Sequence, residues 1–151
     1  MIDDAQKLDA LKNENIKLSS YNKRAIAFMV DDMLISTMFA IIFWERFKTL
    51  SDPESLILFI NSLFIYIIIV KTIYQTIFIA MYGQTLGKML MKIKVINRDY
   101  FDQPSWFESF QRAGMRALSE VVFYIGFIAA NFTTLRQTWH DKFAKTLVVD
   151  A

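Results

Sequence analysis

Residues 56–82 read LILFINSLFIYIIIVKTIYQTIFIAMY, and the single charge in that run is Lys71. A helix rises about 1.5 Å per residue, which makes the run roughly 40 Å long. Crossing a bilayer core takes about 20 mostly apolar residues. The run therefore predicts a transmembrane helix with length to spare for tilt or protrusion. Upstream, residues 25–44 (AIAFMVDDMLISTMFAIIFW) predict another span, apolar except for the adjacent Asp31 and Asp32. Downstream, residues 113–132 (AGMRALSEVVFYIGFIAANF) are a weaker third, because Arg116 and Glu120 occupy their first two turns. This stretch reads either as a shorter transmembrane helix or as a re-entrant or interfacial one.

The composition agrees. Of 151 residues, 54% are hydrophobic, and 14 are Phe. Soluble chains stay at about 45–50% apolar even with glycine counted in. Cysteine is absent and His140 is the single histidine. A disulfide framework, a thiolate zinc site, a catalytic thiol and a multi-histidine metal site are thereby excluded. A net charge of +2 makes no case for nucleic acid.

The expected fold is an all-α integral membrane protein with two long spans and a third shorter transmembrane or re-entrant helix. Short cytoplasmic amphipathic segments and a small strand pair complete it. Residues 1–22 do not read as a signal peptide, since Asp3, Asp4, Asp9 and Glu14 interrupt them. Ile2, Ala5, Leu8 and Leu11 recur at helical spacing, so residues 3–17 read either as an amphipathic helix lying on the membrane surface or on a partner, or as a frayed polar tail. Residues 23–150 form the membrane domain.

Orientation follows the lysines and arginines. Lys7, Lys12, Lys17, Lys23 and Arg24 precede the first span, and Lys88, Lys92, Lys94, Arg98, Arg112 and Arg116 follow the second. Only Arg46 and Lys48 lie between the two spans. The N-terminus and the 83–112 loop are expected in the cytoplasm. The tail is open: three crossings put it outside, yet Arg136, Lys142 and Lys145 sit on it. An internal echo argues the other way. Gln84-Thr85-Leu86-Gly87-Lys88 leads to Lys92 and Ile93–Ile96; Gln137-Thr138-Trp139-His140-Asp141-Lys142 leads to Lys145 and Leu147–Val149. Two such helix-plus-strand units would pair on one membrane face.

Charges inside a span are the informative exceptions, since an aspartate near the centre costs about 2.5–3.5 kcal/mol on insertion scales. Arg24, Asp31, Asp32 and Lys71 form the candidate intramembrane charge site. Asp31 lies seven residues beyond Arg24 on the same helix face, and Lys71 reaches a similar depth on the returning span. A Lys71 pair with Asp31 or with Asp32 is expected. Lys71, Thr72, Gln75 and Thr76 make a polar stripe that either bridges helices or lines a pathway. Gly83 fits a helix stop. Gly83 to Lys88 lacks the spacing of a phosphate loop, and no strand precedes it. Basic residues after it suit anionic lipid headgroups, and Trp106 and Phe107 look like interfacial anchors. His140-Asp141 lacks a nucleophile and reads as a structural turn. No enzyme and no cofactor are expected.

These stretches together resemble the RDD family of small bacterial membrane proteins, named for an arginine and two aspartates in the first span. Arg24, Asp31 and Asp32 carry that pattern. Gly83, Gln84, Thr85, Leu86, Gly87 and Lys88 match the family's Gly-Gln-Thr-Leu-Gly-Lys motif after the second span. Gln137, Thr138, His140 and Asp141 match its tail, where Trp139, Phe143 and Lys145 depart from leucine, leucine and glycine. The departure at Lys145 puts a glycine turn in doubt. The resemblance implies a multi-pass protein of the bacterial inner membrane, loosely associated with transport. The first functional reading is an oligomeric carrier of cations, protons or another small solute. The alternative is a structural or accessory subunit of a larger membrane complex. Expected partners are membrane lipid and further protein subunits, either copies of this chain or a larger complex.

Overall fold

The computed structural model describes residues 4–121, 135 and 137–151. In chain order the elements are α1 (Asp4–Asn13), α2 (Tyr21–Ile42), α3 (Trp44–Thr49), α4 (Pro53–Tyr82), α5 (Leu86–Leu90), β1 (Ile93–Asn97), α6 (Trp106–Val121), α7 (Trp139–Phe143) and β2 (Thr146–Asp150). Two of them, α2 and α4, are long and apolar enough to cross a membrane.

Local chemistry sets their ends. Ser20 caps α2, its hydroxyl accepting the Lys23 N–H. The helix thus starts four residues before the apolar run. Asp52 caps α4 by accepting the Ser55 N–H at 2.8 Å, with Pro53 opening the first turn. Gly83 ends α4 in the left-handed conformation at φ 69°, as the sequence predicts. At the far end of the pair, the Phe59 ring meets Phe43 and Phe47 edge-on, with centroids 5.7 and 5.3 Å away.

At the other end sits a cap built on an antiparallel β1–β2 pair, with Val95 opposite Val148. Strand alternation gives the sheet two apolar faces. Ile93, Val95 and Val148 pack on Ala27 of α2 and Ile79 of α4. Ile96, Leu147 and Val149 pack with Leu11 of α1 and Leu135. The N-terminal segment is therefore docked on the cap of its own chain. Lys7 pairs with Asp99 at 2.5 Å, and Leu18 bridges to Val149.

The sequence echo is a structural repeat. Thr85 caps α5, and Thr138 caps α7. Lys92 and Lys145 both turn with positive φ, at 53° and 51°. The offset is constant (85 to 138, 92 to 145, 95 to 148), so the pair Val95–Val148 lies on the local two-fold axis. The closing bonds obey it too: Arg98 donates its N–H to the Lys145 carbonyl, and Ala151 to that of Lys92.

Helix α6 is built inside out. Ser109, Arg112, Ala113, Arg116 and Ser119 are buried, while Trp106, Phe107, Phe110 and Leu118 are exposed. Polar side chains facing inward and aromatics outward suit a lipid surround, not water. The helix begins seven residues before the predicted stretch 113–132, so Trp106 and Phe107 form its first turn. Residues 122–132 of that stretch lie outside the described residues. Both flanks of residues 106–138 meet the cap: Asn97 donates to Glu108 at 2.7 Å, and Arg112 binds Asp141. The start of α6 and the tail from residue 137 thus lie at the same end of the molecule.

Candidate functional site

Asp31 sits in the buried α2 stripe of Ala27, Asp31, Ile35 and Phe39 and is 1% exposed. Its carboxylate accepts three bonds. Thr85 Oγ1 donates at 2.6 Å, the Gly87 N–H at 2.8 Å and Tyr74 Oη at 2.9 Å. Tyr74 Oη in turn accepts the Leu86 N–H at 3.0 Å. Two elements thus converge on one side chain, α4 through Tyr74 and α5 through its first turn. The approach requires glycine at 87. A Cβ there would collide with the Ala27 carbonyl and lie 2.9 Å from an Asp31 oxygen. The Gly-Gln-Thr-Leu-Gly-Lys segment is therefore the receptacle for the first aspartate. Gln84 is half-buried in the bend before it.

Asp32 points elsewhere and pairs with Lys71. Lys71 also lies 3.5 Å from Glu120, which holds Arg116 at 3.1 Å. The Arg116 guanidinium stacks over the Phe28 ring with 4.5 Å to its centroid. The result is an alternating chain of two carboxylates and two cations linking α2, α4 and α6. Gln75 is buried beside it. Thr72 and Thr76 do not bridge helices as the stripe suggested. Their hydroxyls donate back to the carbonyls of Ile68 and Thr72 at 2.8 Å.

Arg24 belongs to a third network. Its Nε donates to Ser19 Oγ at 2.8 Å, its Nη2 to the Val148 carbonyl at 2.9 Å, and its Nη1 lies 3.6 Å from Asp141. Asp141 binds Arg112, which also donates to Thr146 Oγ1 at 2.9 Å. Asp141 completes a capping box with Thr138. Gln137 donates to the Thr146 carbonyl at 2.8 Å. The arginines beside Asp141 hold its carboxyl well below the usual carboxylate range against the opposing pull of burial. His140 lies 3.8 Å from Asp141, and burial pushes it down to about 3, so its imidazole is neutral at pH 7.

The expected single site of Arg24, Asp31, Asp32 and Lys71 is thus three separate fastenings. Arg24 is on the Asp31 side of α2 but reaches the tail, and Lys71 takes Asp32 and not Asp31. The sequence reading missed Tyr74 as a ligand of Asp31 and Arg112 as the partner of Asp141. Arg112 reads as a loop charge when the helix is started at Ala113, and it lies in α6 because that helix begins at Trp106. The signal was there: Ser105 and Glu108 exchange side-chain and backbone bonds at 2.9 and 3.3 Å, a capping box legible as Ser-Trp-Phe-Glu.

Between these networks lies a cavity of about 340 Å³. Arg24, Lys88, Arg112, Arg116 and Asp141 face it, and Ala25, Phe28, Met29 and Val148 provide apolar wall.

Two apolar helices of spanning length, an inside-out α6 and a polar-latched cap point to a small helical membrane protein. Comparison with known families makes the second step: the RDD family matches residues 18–145, and the chain belongs to that family. No curated protein and no solved structure matches it.

Proposed function

We propose that this protein is a non-enzymatic accessory subunit of a larger assembly in the bacterial inner membrane. One observation supports this reading above the others: the charges of the spans are consumed in fastening the chain to itself. Asp31 holds three donors and Asp32 holds Lys71. A carrier carboxylate has to exchange ligands with its ion. Asp31 would first have to release the first turn of α5. Meanwhile the spans leave wide apolar faces uncovered, such as Met29, Met33 and Ile41 on α2 and Phe64, Ile65 and Tyr66 on α4. Those faces fit lipid and partner helices. The cap is assigned to the cytoplasm because Lys23, Arg24, Lys88, Lys92, Lys94 and Arg98 gather there, against Arg46 and Lys48 at the other end.

A carrier of cations or protons is the second reading, favoured by the chain Asp32–Lys71–Glu120–Arg116. Two crossings enclose no pathway, so it requires an oligomer. Native mass determination after gentle extraction from the protein's own membrane separates the two. A stoichiometric complex with larger proteins is expected. A lone homo-oligomer whose ion flux disappears in Asp32→Asn, with assembly intact, overturns the accessory reading.

A further inference from the structure

We propose that the cavity bounded by Arg24, Lys88, Arg112 and Arg116 binds a phosphate-type oxyanion bearing an apolar tail, the form an anionic phospholipid headgroup presents. Lys88 is the first observation. It is 7% exposed, and its ammonium has one hydrogen-bond contact, Thr85 Oγ1 at 3.5 Å. Among the described residues no carboxylate lies within ion-pair distance of it. The two nearby acids are already engaged, Asp31 by Thr85, Gly87 and Tyr74, and Asp141 by Arg112, Arg24 and Thr138. A buried cation without a counter-charge is costly, and an anion in the cavity supplies the missing partner.

The cavity has the sign for it. Four cationic side chains face it against the single carboxylate of Asp141, while His140 is neutral. Its size argues against a bare ion. At about 340 Å³ it holds roughly ten times a water's share of liquid volume. Tyr21 and Thr138 add hydroxyls to the wall, Ala25, Phe28, Met29 and Val148 make its apolar part, and Met29 is 65% exposed on the lipid-type face of α2. A headgroup phosphate on Lys88 and Arg112 leaves the acyl chain to run along Phe28 and Met29. The site depends on membrane placement and is independent of the accessory role.

The charge of Lys88 adds a second handle. Burial and the neighbouring Arg112 and Arg116 push it down to about 7, opposed by Asp31 and Asp141. The groups facing it are Arg24 and Asp31 from α2, Arg112 and Arg116 from α6, and His140 and Asp141 from α7. The arginines stay charged, His140 stays neutral and Asp141 stays ionised between pH 6 and 9. Anion affinity is therefore expected to fall as pH rises through that window.

The test uses the full chain purified in neutral detergent and titrated with phosphatidylglycerol, phosphatidylcholine or inorganic phosphate. Bound lipid is counted by native mass spectrometry and stabilisation by thermal shift. Phosphatidylglycerol is expected to bind at least about tenfold more tightly than phosphatidylcholine, which carries the same phosphate but whose choline cation is repelled by the four cationic side chains of the cavity. Lys88→Met is expected to lose that preference while its lipid-free melting temperature stays level or rises, since a lone buried cation is gone. The exposed Lys94→Gln is expected to change neither. Undiminished phosphatidylglycerol affinity in Lys88→Met overturns the proposal. So does equal binding of phosphatidylcholine, or full replacement of the lipid's effect by inorganic phosphate, which would mark a free-oxyanion site without a tail.

Discussion

The backbone N–H of Gly87 donates to the carboxylate of Asp31 at 2.8 Å, joining the first turn of α5 to the middle of a membrane-length helix. Asp31 has four lone-pair positions and three donors on it, so an amide cannot replace it. Asparagine would turn an NH₂ toward Thr85, Gly87 or Tyr74. Asp31→Asn is expected to destabilise the protein by about 2–4 kcal/mol, the cost of lost charge-assisted bonds plus an unpaired buried donor. Thermal unfolding in detergent and abundance in the membrane both read it. Gly87→Ala tests the same latch from the other side. Its Cβ meets the Ala27 carbonyl, a backbone atom that has no rotamer to give. Full stability in either variant would remove the latch from the account.

Lys71 lies between two carboxylates, Asp32 and Glu120. Removing the cation leaves both without it, whereas removing Asp32 leaves Lys71 one partner. Lys71→Met is expected to cost more than Asp32→Asn, and the double variant less than the sum. Coupling of about 0.5–3 kcal/mol is the range for residues in one network. A double-mutant cycle on thermal unfolding measures it, and strict additivity would separate the pair.

What the sequence made legible follows from the range of each signal. The spans were readable because apolar length depends on composition alone. The strand pair was readable because two Gln-Thr segments repeat at a fixed offset, and that offset puts Val95 against Val148. The networks were less so. Depth along a helix puts Lys71 near both aspartates, and the roughly 100° between Asp31 and Asp32 decides which one it meets. Residue 31 faces the cap and α5, and residue 32 faces α4. No spacing rule sees that a tyrosine three residues after Lys71 joins Asp31. Arg112 was hidden by an error of about two turns in where α6 begins.

Lys145 stands where the family pattern has glycine, and its φ of 51° shows that the turn is still made. A non-glycine residue in the left-handed region costs roughly 1–2 kcal/mol. Glycine relieves that but gives back about 0.5–1 kcal/mol in unfolded-chain entropy. Lys145→Gly is expected to raise stability by up to about 1 kcal/mol, and Lys145→Val to lower it. The same logic inverts at Gly83, at φ 69°, where alanine is strained and its Cβ would lie 3.4 Å from the Val95 carbonyl. Melting temperatures of the three variants check the set, and a loss on Lys145→Gly would mean that its side chain supplies something the strain argument omits.

His140 and Asp141 give the fold a defined response to acid. The folded histidine is held down at about 3, against roughly 6.5 in an unfolded chain. The unfolded state therefore binds the extra proton first, and stability falls as pH drops from about 6.5 toward 3. Asp141, lowered by its arginines, adds a loss of the same sign below the ordinary aspartate range. One proton carries at most a tenfold change in the folding equilibrium per pH unit. Unfolding midpoints from pH 8 to pH 4 are expected to decline, and His140→Gln to flatten the part between pH 6.5 and 4 while leaving the steeper acid limb. A wild-type profile that is flat down to pH 4 would show that the imidazole reaches water when protonated, and that the cap opens locally around α7.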